Sequence, residues 1–181
     1  MELEYGSDRY ALGNGSHGDH RSGYVYYISL FHIMQRIATI IFSILVLISL
    51  DYFSKQSMLD LLQWENIQIW WEFLRLQLSY NSGIAFWLPI TGLPLQIITI
   101  VLIIALLGYY FHTEYPKRST LLDAGYTLII AGALSHAYER IFVGHVIDFI
   151  AVQYFAILNF ADIFISIGAA LLFIAYYVRK Q

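Results

Sequence analysis

The chain has 181 residues, of which 59% are hydrophobic and 13% are charged. Soluble domains carry about one-quarter charged residues, so this composition favours one compact membrane domain over a soluble fold. The net charge of −3, with 10 scattered basic residues, argues against nucleic-acid binding, and the lack of cysteine excludes disulfides, thiolate nucleophiles and cysteine-based metal sites.

The N-terminal segment, residues 1–23, is rich in Gly, Ser, Asp, His and Arg and poor in large aliphatic residues. This composition predicts a disordered cytoplasmic leader. His17, Asp19 and His20 could bind a metal ion, although a solvated tail is the favoured interpretation. The first apolar segment follows this leader without a clear small-x-small cleavage site, so we expect a retained membrane span rather than a signal peptide.

Residues 24–181 are predicted to form one domain, an all-α bundle of four transmembrane helices. Four apolar segments are long enough to cross about 30 Å of hydrocarbon. They cover residues 29–50, 93–112, 120–138 and 156–178. Small residues in the third and fourth segments predict that these two helices pack closely together.

Basic residues outside the spans indicate the orientation. On one side of a four-span chain lie Arg9, Arg21, Lys117, Arg118, Arg179 and Lys180. The positive-inside rule places that side, with both termini, in the cytoplasm. The four tryptophans lie between the first two spans and therefore on the opposite, periplasmic side.

The periplasmic loop 51–92 contains a pattern with a period of two residues. Leu74, Leu76, Leu78 and Tyr80 alternate with polar residues, which predicts a strand with one apolar face. We therefore expect a small periplasmic β-sheet between helices 1 and 2, resting on the outer leaflet. It could guide a lipid-linked substrate or serve only as a structural lid, and the pattern does not separate these two roles.

Two aspartates near the periplasmic side are the candidate catalytic groups. Asp162 opens the apolar fourth span, where a carboxylate is costly and usually has a functional partner. The alternative is an N-terminal helix cap assisted by Asn159. Asp148 lies in the loop between spans three and four and would alone be an ordinary loop acid. Two close carboxylates, however, share one proton, so that one acts as acid and the other as base to activate water.

Other functional arrangements fit the sequence less well. There is no HExxH motif and no G-x-S-x-G elbow. His136 and His145 approach the two aspartates in the chain, so a metal hydrolase stays open as an alternative. A small transporter or channel subunit would use Asp162 on an ion pathway, but it would also need polar residues through the membrane depth, which spans two and four almost lack.

Four segments resemble the conserved boxes of the lipoprotein signal peptidases, the signal peptidase II family. They are Asp-Tyr-Phe-Ser-Lys at 51–55, Asn-Ser-Gly-Ile-Ala-Phe at 81–86, the run from Gly132 to Phe149, and Leu-Asn-Phe-Ala-Asp at 158–162. The segments occur in the family's order, each at the periplasmic end of its expected span. The resemblance covers roughly residues 45–178.

This resemblance implies a bacterial inner-membrane aspartyl endopeptidase with its active site on the periplasmic side. Such enzymes cleave prolipoproteins just before a cysteine that already carries diacylglycerol, using an aspartate dyad without metal or cofactor. Membrane lipids and globomycin-type inhibitors are the other implied partners, and we expect a monomer. Carried over by position, the implied residues are Asp148 and Asp162 for catalysis, Asn81, Gly83, His136, Arg140 and Asn159 for substrate binding, and Asp51, Lys55, Glu139 and Ala161 for support.

The chain departs from the family pattern at two functional positions. Ser135-His136 stands where the family has Gly-Asn, which keeps hydrogen bonding but adds bulk and a titratable group. Glu139 stands where the family has Asp, which keeps the charge for an ion pair with Arg140. These changes leave one further alternative open, a catalytically silent relative that binds lipids or lipopeptides.

Overall fold

The computed structural model describes residues 17–62, 65–83 and 91–178, and gives no side-chain environment for residues 17–26 and 28. Within these ranges the helices are α1 (His17–Leu61), α2 (Gly92–Tyr109), α3 (Thr120–Phe142) and α4 (Phe160–Val178). The strands are β1 (Ile67–Trp70), β2 (Leu74–Asn81), β3 (Val146–Val152) and β4 (Ala156–Leu158). A π-helical turn at Tyr110–Glu114 and a 3-10 turn at Tyr115–Lys117 follow α2.

The chain divides into two units, Met1–Thr39 and Ile40–Gln181. In the first unit, the described residues belong to α1. This helix starts at His17, inside the predicted leader of residues 1–23, and the disordered leader stays a prediction. Residues 1–16 and the side chains of the suggested metal site lie outside the described residues. Extending an existing helix costs much less free energy than nucleating a new one. The polar residues 17–23 can therefore continue the helix of the apolar span that follows them.

By length and hydropathy, three described helices could cross a membrane. They are Ser29–Leu61, Gly92–Lys117 and Phe160–Val178. Their outward surfaces carry large exposed apolar side chains such as Phe42, Leu102 and Phe173. Water does not favour such a surface, whereas lipid does. The third predicted span, α3, is not among these helices, so the prediction of four membrane spans stays a prediction.

The contact between α3 and α4 depends on glycine. A Cβ atom on Gly132 would lie 2.5 Å from the Ala161 carbonyl oxygen, and one on Gly168 would lie 2.7 Å from the Gly125 carbonyl oxygen. No side chain fits at either distance, so the two backbones approach as closely as small residues allow. The predicted close packing of these two helices is confirmed. It places the first turn of α4 directly against α3.

The opposite ends of these helices are held by a second cluster. Tyr110, Leu122, Tyr126 and Ala175 are buried there together. The Tyr110 hydroxyl donates to the Asp123 carboxylate at 2.7 Å, and the hydroxyls of Tyr126 and Tyr176 lie 2.8 Å apart. Buried hydroxyls with partners carry little penalty, so this cluster ties α2, α3 and α4 together far from the sheet.

The described sheet has four antiparallel strands in the order β1-β2-β3-β4. The expected small sheet is present, and β1 and β2 lie between α1 and α2 as predicted, whereas β3 and β4 come from the connection between α3 and α4. The apolar run Val146–Val152 after Gly144 carries the signal of a buried strand. The short β4 also explains why α4 begins at Phe160 rather than at residue 156.

A β-bulge interrupts the pairing of β2 with β3. Leu76 pairs with Ile150 and Ser79 pairs with Asp148, so two residues of β2 stand opposite one of β3. The extra residue reverses which β2 side chains share a face with Asp148. Without it, Leu78 and Tyr80 would lie on that face. With the bulge, Ser79 and Asn81 lie on the same face as Asp148. The prediction of one apolar face along β2 is therefore correct only as far as the bulge.

Candidate active site

Asp148 lies in the middle of β3, and its residue is only 4% exposed. Asp162 lies in the first turn of α4, with its side chain 30% exposed. The two acids therefore differ in environment, one enclosed by the sheet and the helices and the other open on one side. This difference matters because burial disfavours the charged form of a carboxyl group.

Asn159 connects the two acids. Its side chain is fully buried, and its Nδ2 donates to Oδ1 of Asp148 at 2.5 Å. Its Oδ1 accepts from the backbone N–H of Asp162 at 3.1 Å, while its own backbone N–H donates to Oδ2 of Asp162 at 3.0 Å. The last two bonds form a reciprocal cap at the start of α4. Asp162 thus caps the helix through Oδ2, as the capping alternative predicts, whereas its Oδ1 takes no part in the cap.

Asn81 approaches Asp148 from the other side. Its Nδ2 lies 3.3 Å from Oδ2 of Asp148, and its Oδ1 accepts from the Gly83 backbone N–H at 3.1 Å. The Gly83 bond fixes the orientation of the amide, so the nitrogen faces the carboxyl group. This contact depends on the bulge, which brings Asn81 onto the face of Asp148.

The pKa of Asp148 is raised from its usual 3.8 to about 6. Burial is the main cause, and the negative charge of Asp162 adds to it. The amides of Asn159 and Asn81 act in the opposite direction, because they donate to the charged form, but they do not offset the burial. Asp148 therefore retains its proton to a higher pH than an ordinary aspartate does.

Arg140 borders the same site from the end of α3. Its Nη2 donates to the Gly83 carbonyl oxygen at 3.3 Å, and its own carbonyl accepts from Nε2 of Gln96 at 2.7 Å. Its Nε atom is buried and has no hydrogen-bond partner among the described residues. Gln96 was not predicted as a site residue, although a polar residue within an apolar span is the signal that identifies such a position.

A buried charged cluster lies behind the two acids. Nζ of Lys55 contacts Oδ2 of Asp51 at 2.7 Å and Oε2 of Glu139 at 2.6 Å. Glu139 also accepts from the Ile147 backbone N–H at 3.3 Å. The expected ion pair of Glu139 with Arg140 is therefore replaced by one with Lys55. The extra methylene of Glu relative to Asp gives this carboxylate the reach to join α1 to the start of β3.

Asp51 links the cluster to α4. Its Oδ1 accepts from the Ala161 backbone N–H at 3.0 Å, and its Oδ2 accepts from the Ser135 hydroxyl. All of these groups are buried, and each carboxylate oxygen has a donor, which is the condition for keeping charges away from water. The cluster thus fixes α1, α3, β3 and α4 relative to one another next to Asp162.

His136 and His145 behave differently. Nε2 of His136 lies 3.3 Å from Oδ1 of Asn159 and 3.6 Å from Oδ1 of Asp162. His145 instead packs edge-on against Tyr80, with ring centroids 5.0 Å apart. No group of three or more His, Asp or Glu side chains in the described ranges is arranged as a metal site.

The family model described as signal peptidase (SPase) II matches residues 43–178. The chain belongs to the signal peptidase II family. A "Lipoprotein signal peptidase" from Fusobacterium nucleatum subsp. nucleatum is 31% identical over 78% of this chain and 88% of that protein. One from Mesorhizobium japonicum is 40% identical over 55% of this chain and 61% of that protein. One from Aquifex aeolicus is 38% identical over 60% of this chain and 68% of that protein.

Solved structures of bacterial membrane enzymes have a similar fold. A bacterial membrane enzyme solved by the in meso method at 2.3 Å has a TM-score of 0.67 and 28% identity, covering 80% of this chain and 91% of that one. A second such structure, at 1.9 Å, has a TM-score of 0.64 and 27% identity, covering 77% and 93%. The fold of this signal peptidase II chain is thus that of known membrane enzymes.

The structure brings described residues of all four signal peptidase II boxes to one place. The residues that the sequence analysis assigned to catalysis, substrate binding and support all lie in or beside this site: Asp51, Lys55, Asn81, Gly83, His136, Glu139, Arg140, Asp148, Asn159, Ala161 and Asp162. The strand β3, which carries Asp148, was not predicted from the sequence. Its run of β-branched and aromatic residues was the available signal.

Proposed function

We propose that this chain is an aspartyl endopeptidase that removes signal peptides from diacylglyceryl-modified prolipoproteins. The cleaved bond is the peptide bond before the lipidated cysteine. The observation that carries the proposal is the pairing of two unequal acids through one buried asparagine, Asn159. Membership of the signal peptidase II family supplies the substrate class.

The two environments suggest a division of labour. Asp148, whose pKa is raised to about 6, holds the proton that the pair shares. Asp162, partly exposed, is the carboxylate that removes a proton from water through Oδ1, the oxygen that takes no part in the helix cap. The hydroxide equivalent attacks the scissile carbonyl carbon while Asp148 donates its proton to the carbonyl oxygen. Collapse of the tetrahedral intermediate returns a proton to Asp148 and delivers one from Asp162 to the leaving amine.

Asn81 and Arg140 are proposed to hold the substrate backbone. Arg140 presents a buried Nε–H that has no partner among the described residues, and a substrate carbonyl would satisfy it. The Arg140–Gly83 bond holds the chain next to Asn81 at the same edge. Neither role requires a metal ion or a cofactor.

The path of the chain supports four membrane spans, with α3 as the third. β2 and β3 pair in one sheet, so the connection before α2 and the connection after α3 lie on the same side. Gln96 near the start of α2 also bonds to Arg140 near the end of α3. If α2 crosses the membrane away from the sheet, α3 must cross it back. The hydropathy of α3 is lower than that of α2 and α4, which suits an interior helix that faces protein more than lipid.

We further propose an orientation for the enzyme in the bacterial inner membrane. The sheet and the dyad lie on the periplasmic side and both termini in the cytoplasm, because Lys117 and Arg118 lie at the connection opposite the sheet. The lipidated substrate would then enter from the outer leaflet. The enzyme is expected to act as a monomer.

Cleavage of a synthetic diacylglyceryl-modified prolipoprotein peptide by the detergent-purified protein tests this function. Mass spectrometry should show a single cut just before the lipidated cysteine, and globomycin should abolish it. The matched control is the same peptide without diacylglycerol, which should be cut much more slowly. A folded protein that binds globomycin but leaves the lipidated peptide intact would support a silent relative instead.

A further inference from the structure

Among the described residues, Nε2 of His136 lies near two acceptors. Oδ1 of Asn159 lies at 3.3 Å and Oδ1 of Asp162 at 3.6 Å. The Asn159 amide cannot turn its nitrogen toward His136, because that nitrogen donates to Asp148 while its oxygen accepts from the Asp162 backbone N–H. A hydrogen on Nε2 is therefore needed, whether His136 is neutral or charged.

We infer that His136 is a positioning residue with a second, pH-dependent effect on the pair of acids. Its Nε2–H holds Asn159 in the orientation that donates to Asp148, and its protonated form pairs with the Asp162 carboxylate. This inference rests on the proposed function and adds regulation of the same site. It concerns a residue at which this chain departs from its family pattern.

The positioning role follows from the amide of Asn159. An amide with its ends exchanged would present its nitrogen to the backbone N–H of Asp162, so that two donors would face each other at the start of α4. The donor at position 136 therefore helps select one of two orientations. An asparagine side chain could provide that donor, but a side chain without a polar hydrogen could not.

The pH-dependent role follows from the charges around the imidazole. The buried position of His136 disfavours its cationic form, the charge of Asp162 on α4 favours that form, and the charges of Lys55 on α1 and Arg140 on α3 oppose it. Asp148 on β3 is on the other side of Asn159 from His136, because the Asn159 amide contacts both residues. A cationic His136 would hold Asp162 as a weaker base, because the ion pair stabilises the carboxylate that must take up the proton from water. The rate of cleavage should then fall toward low pH as His136 becomes protonated.

Three variants separate these roles: His136→Ala, His136→Asn and His145→Asn. We expect His136→Ala to lower kcat/KM about tenfold at neutral pH, as for the loss of one buried hydrogen bond. His136→Asn should recover most of that loss, and the histidine-dependent step should disappear from its pH profile. His145→Asn is the matched control, because His145 contacts Tyr80 rather than the acids, and it should keep the pH profile of the parent.

A second measurement does not depend on cleavage. NMR of 13C-labelled histidine should show His136 titrating at a different pH in Asp162→Asn than in the parent, because the neighbouring carboxylate is gone. An unchanged titration, or equal rates and equal pH profiles for His136→Ala and the parent, would overturn the inference. If the parent itself does not cleave the lipidated peptide, the proposed function fails, and the NMR result still decides whether His136 and Asp162 are coupled.

Discussion

Asp148 combines a buried position with two amide donors, so its charge state has consequences for stability as well as for catalysis. The pKa of this residue is about 6 in the folded protein and 3.8 without the fold. Between these values the folded state binds more protons than the unfolded state. Stability should therefore decrease as the pH rises from about 4 to about 6 and stay constant above that range.

The variant Asp148→Asn tests this dependence, because it removes the charge and keeps the shape. We expect it to gain about 2 kcal/mol of unfolding free energy relative to the parent between pH 4 and pH 7, after allowance for solvent around the group. Denaturation in detergent at both pH values provides the measurement. A constant difference between variant and parent across this range would contradict the raised pKa.

The same property predicts the shape of the pH–rate profile. The form with one shared proton is lost when Asp148 ionises, so kcat/KM should decline on the alkaline side near pH 6. The decline in kcat should lie at higher pH, because bound substrate removes water from the acids and disfavours the second charge. A decline of kcat/KM at a pH near the usual pKa of an aspartate would show that Asp148 does not hold the proton.

Lys55 is a second residue whose charge is informative, because it neutralises two buried carboxylates. Lys55→Met should lower the unfolding free energy by about 3 to 5 kcal/mol, since Asp51 and Glu139 would repel each other in a dry site. Adding Glu139→Gln should recover part of this loss. Thermal unfolding of both variants measures the effect, and a double variant no more stable than the single one would argue against the ion pair.

At the residue scale, the sequence predicts the functional groups better than their contacts. The motifs identify both aspartates and their polar neighbours. They do not show that Glu139 reaches Lys55 rather than Arg140, because one methylene decides which cation a carboxylate can reach. They also do not show the orientation of the Asn159 amide, which depends on three elements meeting in space.

At the scale of elements, the distance between α3 and α4 controls where Asp162 lies. Gly132 packs against the Ala161 carbonyl, one residue before Asp162. Gly132→Ala should push the start of α4 outward, lower the melting temperature and reduce cleavage at least tenfold. Gly108→Ala is the matched control, because a Cβ there meets nothing within 4 Å and alanine favours the helix. Equal behaviour of the two variants would contradict this packing argument.

The elements also mark where prediction from the sequence ends. Hydropathy predicts the helices, and alternation predicts β2, because both signals are local. The bulge in β2 and the pairing of β2 with β3 are not local, since they join segments about 70 residues apart. Only that pairing shows why Asn81, and not Tyr80, accompanies Asp148.

At the scale of the whole molecule, the number of spans is the main prediction. The chain has no cysteine, so each introduced cysteine is a unique label. Glu72→Cys and Tyr154→Cys, exposed at the two sheet turns, should react with an impermeant maleimide in intact spheroplasts. Thr120→Cys, exposed at the start of α3, should react only after permeabilisation. Labelling of Tyr154→Cys and Thr120→Cys from the same side would contradict α3 as a membrane span.

The central claim is that Asp148 and Asp162 together cleave the lipidated substrate. The most direct measurement is single-turnover cleavage of the diacylglyceryl peptide by Asp148→Asn and Asp162→Asn, with melting temperature and globomycin binding as controls for folding. The account predicts that both variants fold and that each loses cleavage by at least about a thousandfold. Turnover close to that of the parent in either folded variant would contradict it.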